Sequence, residues 1–253
     1  IFLHFALRKR LLRQHAQAAL GAGCTQVIVL GAGLDTLCLE LKERRPDLRC
    51  IEIDHPATQA IKRSAMKLAD VGGNAIDFIG ADLARQELAA LLNAHPGFRA
   101  EARTLFVAEG LLMYMPLDAV RRLFVQMATA VPDSQVAFTW FEPLADGRPN
   151  FRRRSRLVDH WLRWRGEPFI SGVARAELAR FLREAGFSLQ ELHASGDLID
   201  TGHGSMRPIE GEYIALVKTT TIEHAPTSIA SRNQYADVTE RSACAVNPAE
   251  GKP

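Results

Sequence analysis

Short apolar runs and helical patterns take turns along the first 140 residues of the chain, and few architectures accept that order. QVIVL (26–30), RCIEID (49–54), AIDFIG (75–80), RTLFVAE (103–109) and SQVAFTW (134–140) read as strands, rich in β-branched and aromatic residues. Helical patterns fill the gaps over 34–43, from Pro56 onward, over 83–92 and over 116–130. Pro56 suits a first helical position, where a missing N–H costs no intrahelical bond. A further helix is predicted over 5–20, with Leu7 and Leu11 on one stripe, Leu12, Ala16 and Ala19 on a neighbouring one, and Gly21 at its end. Strands joined by crossover helices predict an α/β fold with a doubly wound, mostly parallel sheet.

The rhythm changes after Trp140. Residues 141–173, rich in Arg, Trp and Pro, read as an insertion over the sheet on the substrate side, ahead of a helix over 174–186. FSLQELH (187–193) and GEYIALVKT (211–219) then read as two strands with no helix between them, so the last strand is expected to be antiparallel. Residues 1–219 form the predicted domain, and 220–253, polar and without periodicity, a disordered tail. The chain opens with Ile1, and its apolar-then-basic start reverses the order of a secretory signal, so a native segment is expected upstream.

Composition narrows the function classes. A formal charge of +2 on 31 basic and 29 acidic residues gives no electrostatic case for nucleic acid or a lipid surface. The longest uncharged stretch, about 16–34, is broken by four glycines and is too polar to span a membrane. Cys24, Cys38, Cys50 and Cys244 lack CxxC or finger spacing and suit free thiols in a reducing, cytoplasmic compartment. The eight histidines contain no HxxxH pair and no His/Cys cluster, so no metal is expected.

Four stretches carry candidate chemistry. In VIVLGAGLDT (27–36) a strand runs into a glycine turn and a helix; Gly31 and Gly33 let backbone approach a ligand, and the helix offers free N–H groups. The dinucleotide fingerprint is incomplete, since its third glycine position holds Thr36. Asp54 ends the second strand 23 residues after Gly31, close to the roughly 20-residue offset of a ribose-binding acid. Its alternative role is to cap the helix that opens at Pro56. Asp82 in GADL is placed to accept an adenine amine while Leu83 covers the ring, or else to cap the helix read over 83–92. Glu109 closes the fourth strand on the ligand rim, where a carboxylate at the end of an apolar run needs a partner.

Together, VIVLGAGLDT, IEIDHPATQAIKR, GADL and AEGLLMYMP resemble the class I S-adenosylmethionine-dependent methyltransferases of the leucine carboxyl methyltransferase type, a group that includes polyketide O-methyltransferases. The resemblance runs from about Phe5 to Lys218. It implies a seven-stranded sheet with an antiparallel last strand, and further helices ahead of the chain's first one. It also implies that Gly31 passes along the methionine part of the cofactor, Asp54 holds the ribose, Asp82 and Leu83 frame the adenine, and Glu109 contacts the cofactor from the fourth strand. Arg8 or Arg10 corresponds to an arginine that pairs with the cofactor carboxylate, with Arg8 in the better register.

The expected function is therefore O-methylation of a small-molecule carboxylate or hydroxyl with S-adenosyl-L-methionine. Methyl transfer from a sulfonium asks the protein mainly to position and desolvate the partners. Tyr114 is a candidate for facing the acceptor, or for simple packing. His193 and His203 fall near a late loop as a possible base or as surface residues, FRRRSR (151–156) as an anion-steering run or a solvated face, and HWLRWRGEPF (160–169) as a pocket floor or an anchor. The rival readings are an NAD(P)-dependent oxidoreductase, opposed by the missing glycine and the antiparallel ending, and a non-catalytic cofactor-binding module.

Overall fold

The structure, a computed structural model, describes residues 2–71, 76–145, 147, 149–150, 168–194 and 210–220. The expected tail beyond Thr220, the centre of the expected insertion with its arginine run and two tryptophans, and His203 of the late loop lie outside the described residues.

The elements follow the predicted order: α1 (Phe2–Gly21), β1 (Gln26–Leu30), α2 (Leu37–Arg44), β2 (Arg49–Asp54), α3 (Pro56–Leu68), β3 (Asp77–Gly80), α4 (Leu88–Asn93), β4 (Thr104–Ala108), a 3₁₀ turn (Leu112–Tyr114), α5 (Leu117–Ala130), β5 (Ser134–Phe141), α6 (Arg175–Glu184), β6 (Phe187–Ala194) and β7 (Glu212–Thr219). They build a seven-stranded sheet in the order β3-β2-β1-β4-β5-β7-β6. The first five strands are parallel neighbours, and β7 runs antiparallel to both β5 and β6. The order reverses between β1 and β4, and open α/β sheets bind ligands at the carboxyl ends of strands beside such a point.

Period-two alternation sends side chains to two cores. Ile28, Leu30, Ile51, Ile53, Phe106 and Phe138 face α4, α5 and α6. Val27, Val29, Cys50, Leu105, Val107 and Ile214 face α1, α2 and α3. A sheet covered on both faces explains why its strands read as almost unbroken apolar runs. On the first side Phe124 of α5 meets Phe138, Phe181 and Phe187 edge-on, with ring centroids 5.0–6.1 Å apart, a geometry that adds to area burial.

One predicted helix is shorter than its pattern. The apolar residues from Leu83 onward suggest a helix over 83–92, but only Leu88–Asn93 is helical. Asp82 closes a turn there instead: its carboxylate accepts the Ala84 N–H at 3.0 Å and its carbonyl accepts the Gln86 N–H at 2.8 Å. Local side-chain bonding of this kind competes with helix, so the capping alternative for Asp82 fails. The same holds for Asp54, because His55 caps α3 through its ring, which accepts the Ala57 N–H.

Candidate functional site

The glycine turn after β1 is the floor of the site. Gly31 and Gly33 adopt φ of +64° and +51°, the left-handed region where a side chain is strained. Gly31 also lies under Leu111, so a Cβ would come within 2.9 Å of the Leu111 Cδ1, whereas a Cβ on Gly33 would meet open space. The turn is thus closed beneath Gly31 and open above Gly33.

Three carboxylates stand around it at strand ends. Asp54 accepts the backbone N–H groups of Gly33 and, at 2.5 Å, of His55, which leaves it lone pairs for further donors. Asp82 is half-exposed at the end of the β3 turn, paired loosely with Arg85. Leu83 is turned into the core with only 9% exposure, so Asp82 is the polar group that this corner presents. Glu109, after β4, is held by Arg8 at 2.8 Å and Lys9 at 3.2 Å.

The two candidate arginines differ in position. Arg8 is largely buried at this rim, while Arg10 is exposed on the far side of α1. Arg8 is shared: its Nε and Nη2 reach Glu109, and its Nη1 donates to Glu212 at 2.8 Å. Burial works against its charge, yet Glu212 and Glu109 outweigh that and hold the guanidinium above its ordinary value. Two of its five N–H groups are left by this arrangement.

Several partners escaped the sequence reading. Lys9 bridges Glu109 and Asp35, and Asp35 in turn accepts the Leu37 N–H at 2.6 Å at the head of α2. Glu212, fully buried at the start of β7, pairs with both Arg8 and His4. Lys62 of α3 donates to Glu52 and to the Asp35 carbonyl, each at 2.5 Å. Burial pushes the Glu52 carboxyl up, with Lys62 opposing the push. Glu212 had a signal, since an acid opening an apolar strand needs a partner as Glu109 does. Lys9 had none, being one of several basic residues on α1.

Tyr114 ends the 3₁₀ turn beside this rim, partly exposed, with its ring edge-on to Phe169 at 5.4 Å. Residues 168–173 fold back onto that turn: the Ile170 N–H reaches the Met113 carbonyl at 2.8 Å and the Ser171 hydroxyl the Leu112 carbonyl at 2.9 Å. Cys24, Cys38 and Cys50 are buried free thiols. No helix among the described residues is long and apolar enough to cross a membrane.

These residues fit a nucleoside-bearing ligand with charged groups of both signs: a cradle open over Gly33, an acid at the second strand end, and a rim of paired carboxylates and cations. A family model for leucine carboxyl methyltransferases matches residues 2–128. A protein of Mycobacterium marinum, provisionally named an S-adenosyl-L-methionine-dependent methyltransferase, is 30% identical over 234 residues, covering 88% of this chain and 71% of its own length. One of Mycobacteroides abscessus with the same provisional name is 30% identical over 211 residues, 78% of this chain and 65% of its own length. The fold matches an O-methyltransferase of neocarzinostatin biosynthesis solved with S-adenosyl-L-homocysteine and 1,4-dihydroxy-2-naphthoic acid, with a TM-score of 0.51 at 14% identity, covering 79% of this chain and 50% of that one. A provisionally named O-methyltransferase of Nostoc punctiforme gives 0.54 at 13% identity, covering 82% and 55%.

Proposed function

Since the chain belongs to the leucine carboxyl methyltransferase family, we propose that it binds S-adenosyl-L-methionine at the carboxyl ends of β1 to β4 and serves O-methylation of a small molecule, with a carboxylate as the preferred acceptor. The observation that carries this reading is the Asp54 carboxylate held against the glycine turn by the Gly33 N–H, with open space over Gly33. In this reading Asp54 accepts the ribose hydroxyls, Asp82 accepts the adenine amine over the edge of Leu83, and the Gly31–Gly33 backbone lies along the methionine part. Glu109 faces the cofactor's ammonium group, and Arg8 offers its remaining N–H groups to the cofactor's carboxylate. When bound, the cofactor supplies the electrophilic methyl group.

The protein's share of the chemistry is positioning. Tyr114 and the returning 168–173 segment border the acceptor side, where they exclude water and orient the incoming oxygen. A carboxylate acceptor is ionised near neutrality and needs no base. The buried thiols support a reducing, cytoplasmic setting, and the near-balanced charge favours a small-molecule partner over nucleic acid.

Calorimetry and thermal shift with S-adenosylhomocysteine and NAD test the reading. Binding of the first alone is expected. A preference for NAD would move the chain to the oxidoreductase reading, and binding of neither would leave a fold without this cofactor.

A further inference from the structure

On the opposite edge of the sheet, His15 of α1 meets Glu191 and His193 of β6, and one donor atom from each lies within 4.8 Å of the others. His15 is buried to 6% exposure, and its Nε2 has no hydrogen-bond partner among the described residues. An imidazole nitrogen left bare in the interior is costly unless something fills its lone pair. The His193 Nε2 and the Glu191 carboxylate are already 3.0 Å apart, and the two imidazole rings are 5.9 Å apart between centroids.

A defect in the strand makes this meeting. Phe187 and Leu189 face the α5–α6 core, and simple alternation would send Glu191 and His193 to that same face. The register shifts between Leu189 and Glu191, which leaves Gln190 as an extra residue. Leu192 and Ala194 then take the core face, and Glu191 and His193 turn toward α1 beside Leu216 and Ile214. A bulge that re-aims two potential ligands at an unpartnered buried histidine is the kind of irregularity that edge strands keep for a purpose.

We propose that His15, Glu191 and His193 form a binding site for a divalent transition ion of the zinc class. Two imidazoles and one carboxylate are a borderline donor set that suits Zn²⁺, with water as a fourth ligand. Donors on such an ion sit roughly 3.3–3.5 Å apart, given bonds of about 2.0–2.2 Å. The residual gap closes by about 1 Å of movement in the two partly exposed β6 side chains. The ion would clamp α1 to β6, and α1 carries Arg8 two helical turns away on the same face. The site is separate from the proposed cofactor cradle and does not depend on it.

The test uses the tag-free full chain, stripped with chelator and titrated with Zn²⁺ by calorimetry and thermal shift, and with Co²⁺ by visible absorption. One ion per chain, a raised melting temperature and the intense visible bands of tetrahedral cobalt are expected. His193→Ala and Glu191→Gln, at partly exposed positions that the fold tolerates, should each weaken binding at least about tenfold. Unchanged affinity in both variants, cobalt bands that persist in them, or no stoichiometric binding to the wild-type chain would overturn the proposal.

Discussion

Asp54 at the end of β2 accepts the backbone N–H of Gly33 in the turn after β1, so the second strand's acid and the first strand's glycine turn form one unit. The other carboxylate oxygen accepts the His55 N–H, so the side chain ties the turn to the start of α3.

Replacing Asp54 should therefore do two things. Charge-assisted hydrogen bonds are worth about 1.5–3 kcal/mol each, so Asp54→Ala is expected to weaken S-adenosylhomocysteine by about tenfold or more. Asp54→Asn keeps an acceptor for Gly33 and should lose less. Calorimetry on the pair reads the difference, and unchanged affinity in the alanine variant would remove Asp54 from the site.

The two glycines should respond unequally. Gly33→Ala meets no atom and costs only its left-handed backbone, about 1–2 kcal/mol. Gly31→Ala carries the same strain and also collides with Leu111, so it should cost clearly more and be partly rescued by Leu111→Ala. Urea denaturation of the three variants checks the ranking.

Arg8 and Arg10 should separate as buried and exposed cations do. Arg8→Met leaves Glu212 fully buried without its guanidinium and should cost about 3–5 kcal/mol. Arg10→Ala should stay within about 0.5 kcal/mol. Equal effects in urea would show that the Arg8–Glu109–Glu212 cluster contributes little.

Glu52 gives a pH prediction. Burial holds its folded-state pKa above the ordinary value of 4.5, so its contribution to stability is complete below that value and declines as pH rises through the folded pKa. Against Glu52→Gln, the wild-type chain should lose relative stability over that window, by at most about 1.4 kcal/mol per pH unit for one proton. A gain with rising pH would mean that Lys62 outweighs burial.

Acceptor chemistry can be read from turnover against pH at saturating cofactor. With a carboxylate acceptor the profile should be nearly flat between about pH 6.5 and 8.5, and a hydroxyl acceptor served by histidine should rise through about pH 6–7. Loss of the methyl group in mild alkali identifies an ester, and a stable ether would exclude the carboxylate preference.

The alternation of apolar runs and helical patterns determined the element order, the parallel sheet and the antiparallel ending, because period and burial are local consequences of side-chain type. The strand-end positions of Gly31, Asp54, Asp82 and Glu109 followed from the same pattern. What each acid touches did not. The burial of Arg8 and exposure of Arg10 depend on how α1 rotates against β4 and β7, and the partnership of Arg8 with Glu212 joins residues 204 positions apart. The length of α4 was decided by a turn that Asp82 closes with its own neighbours. Most of all, the face of Glu191 and His193 was decided by one extra residue in β6, since a bulge inverts the alternation on which any sequence reading of a strand rests.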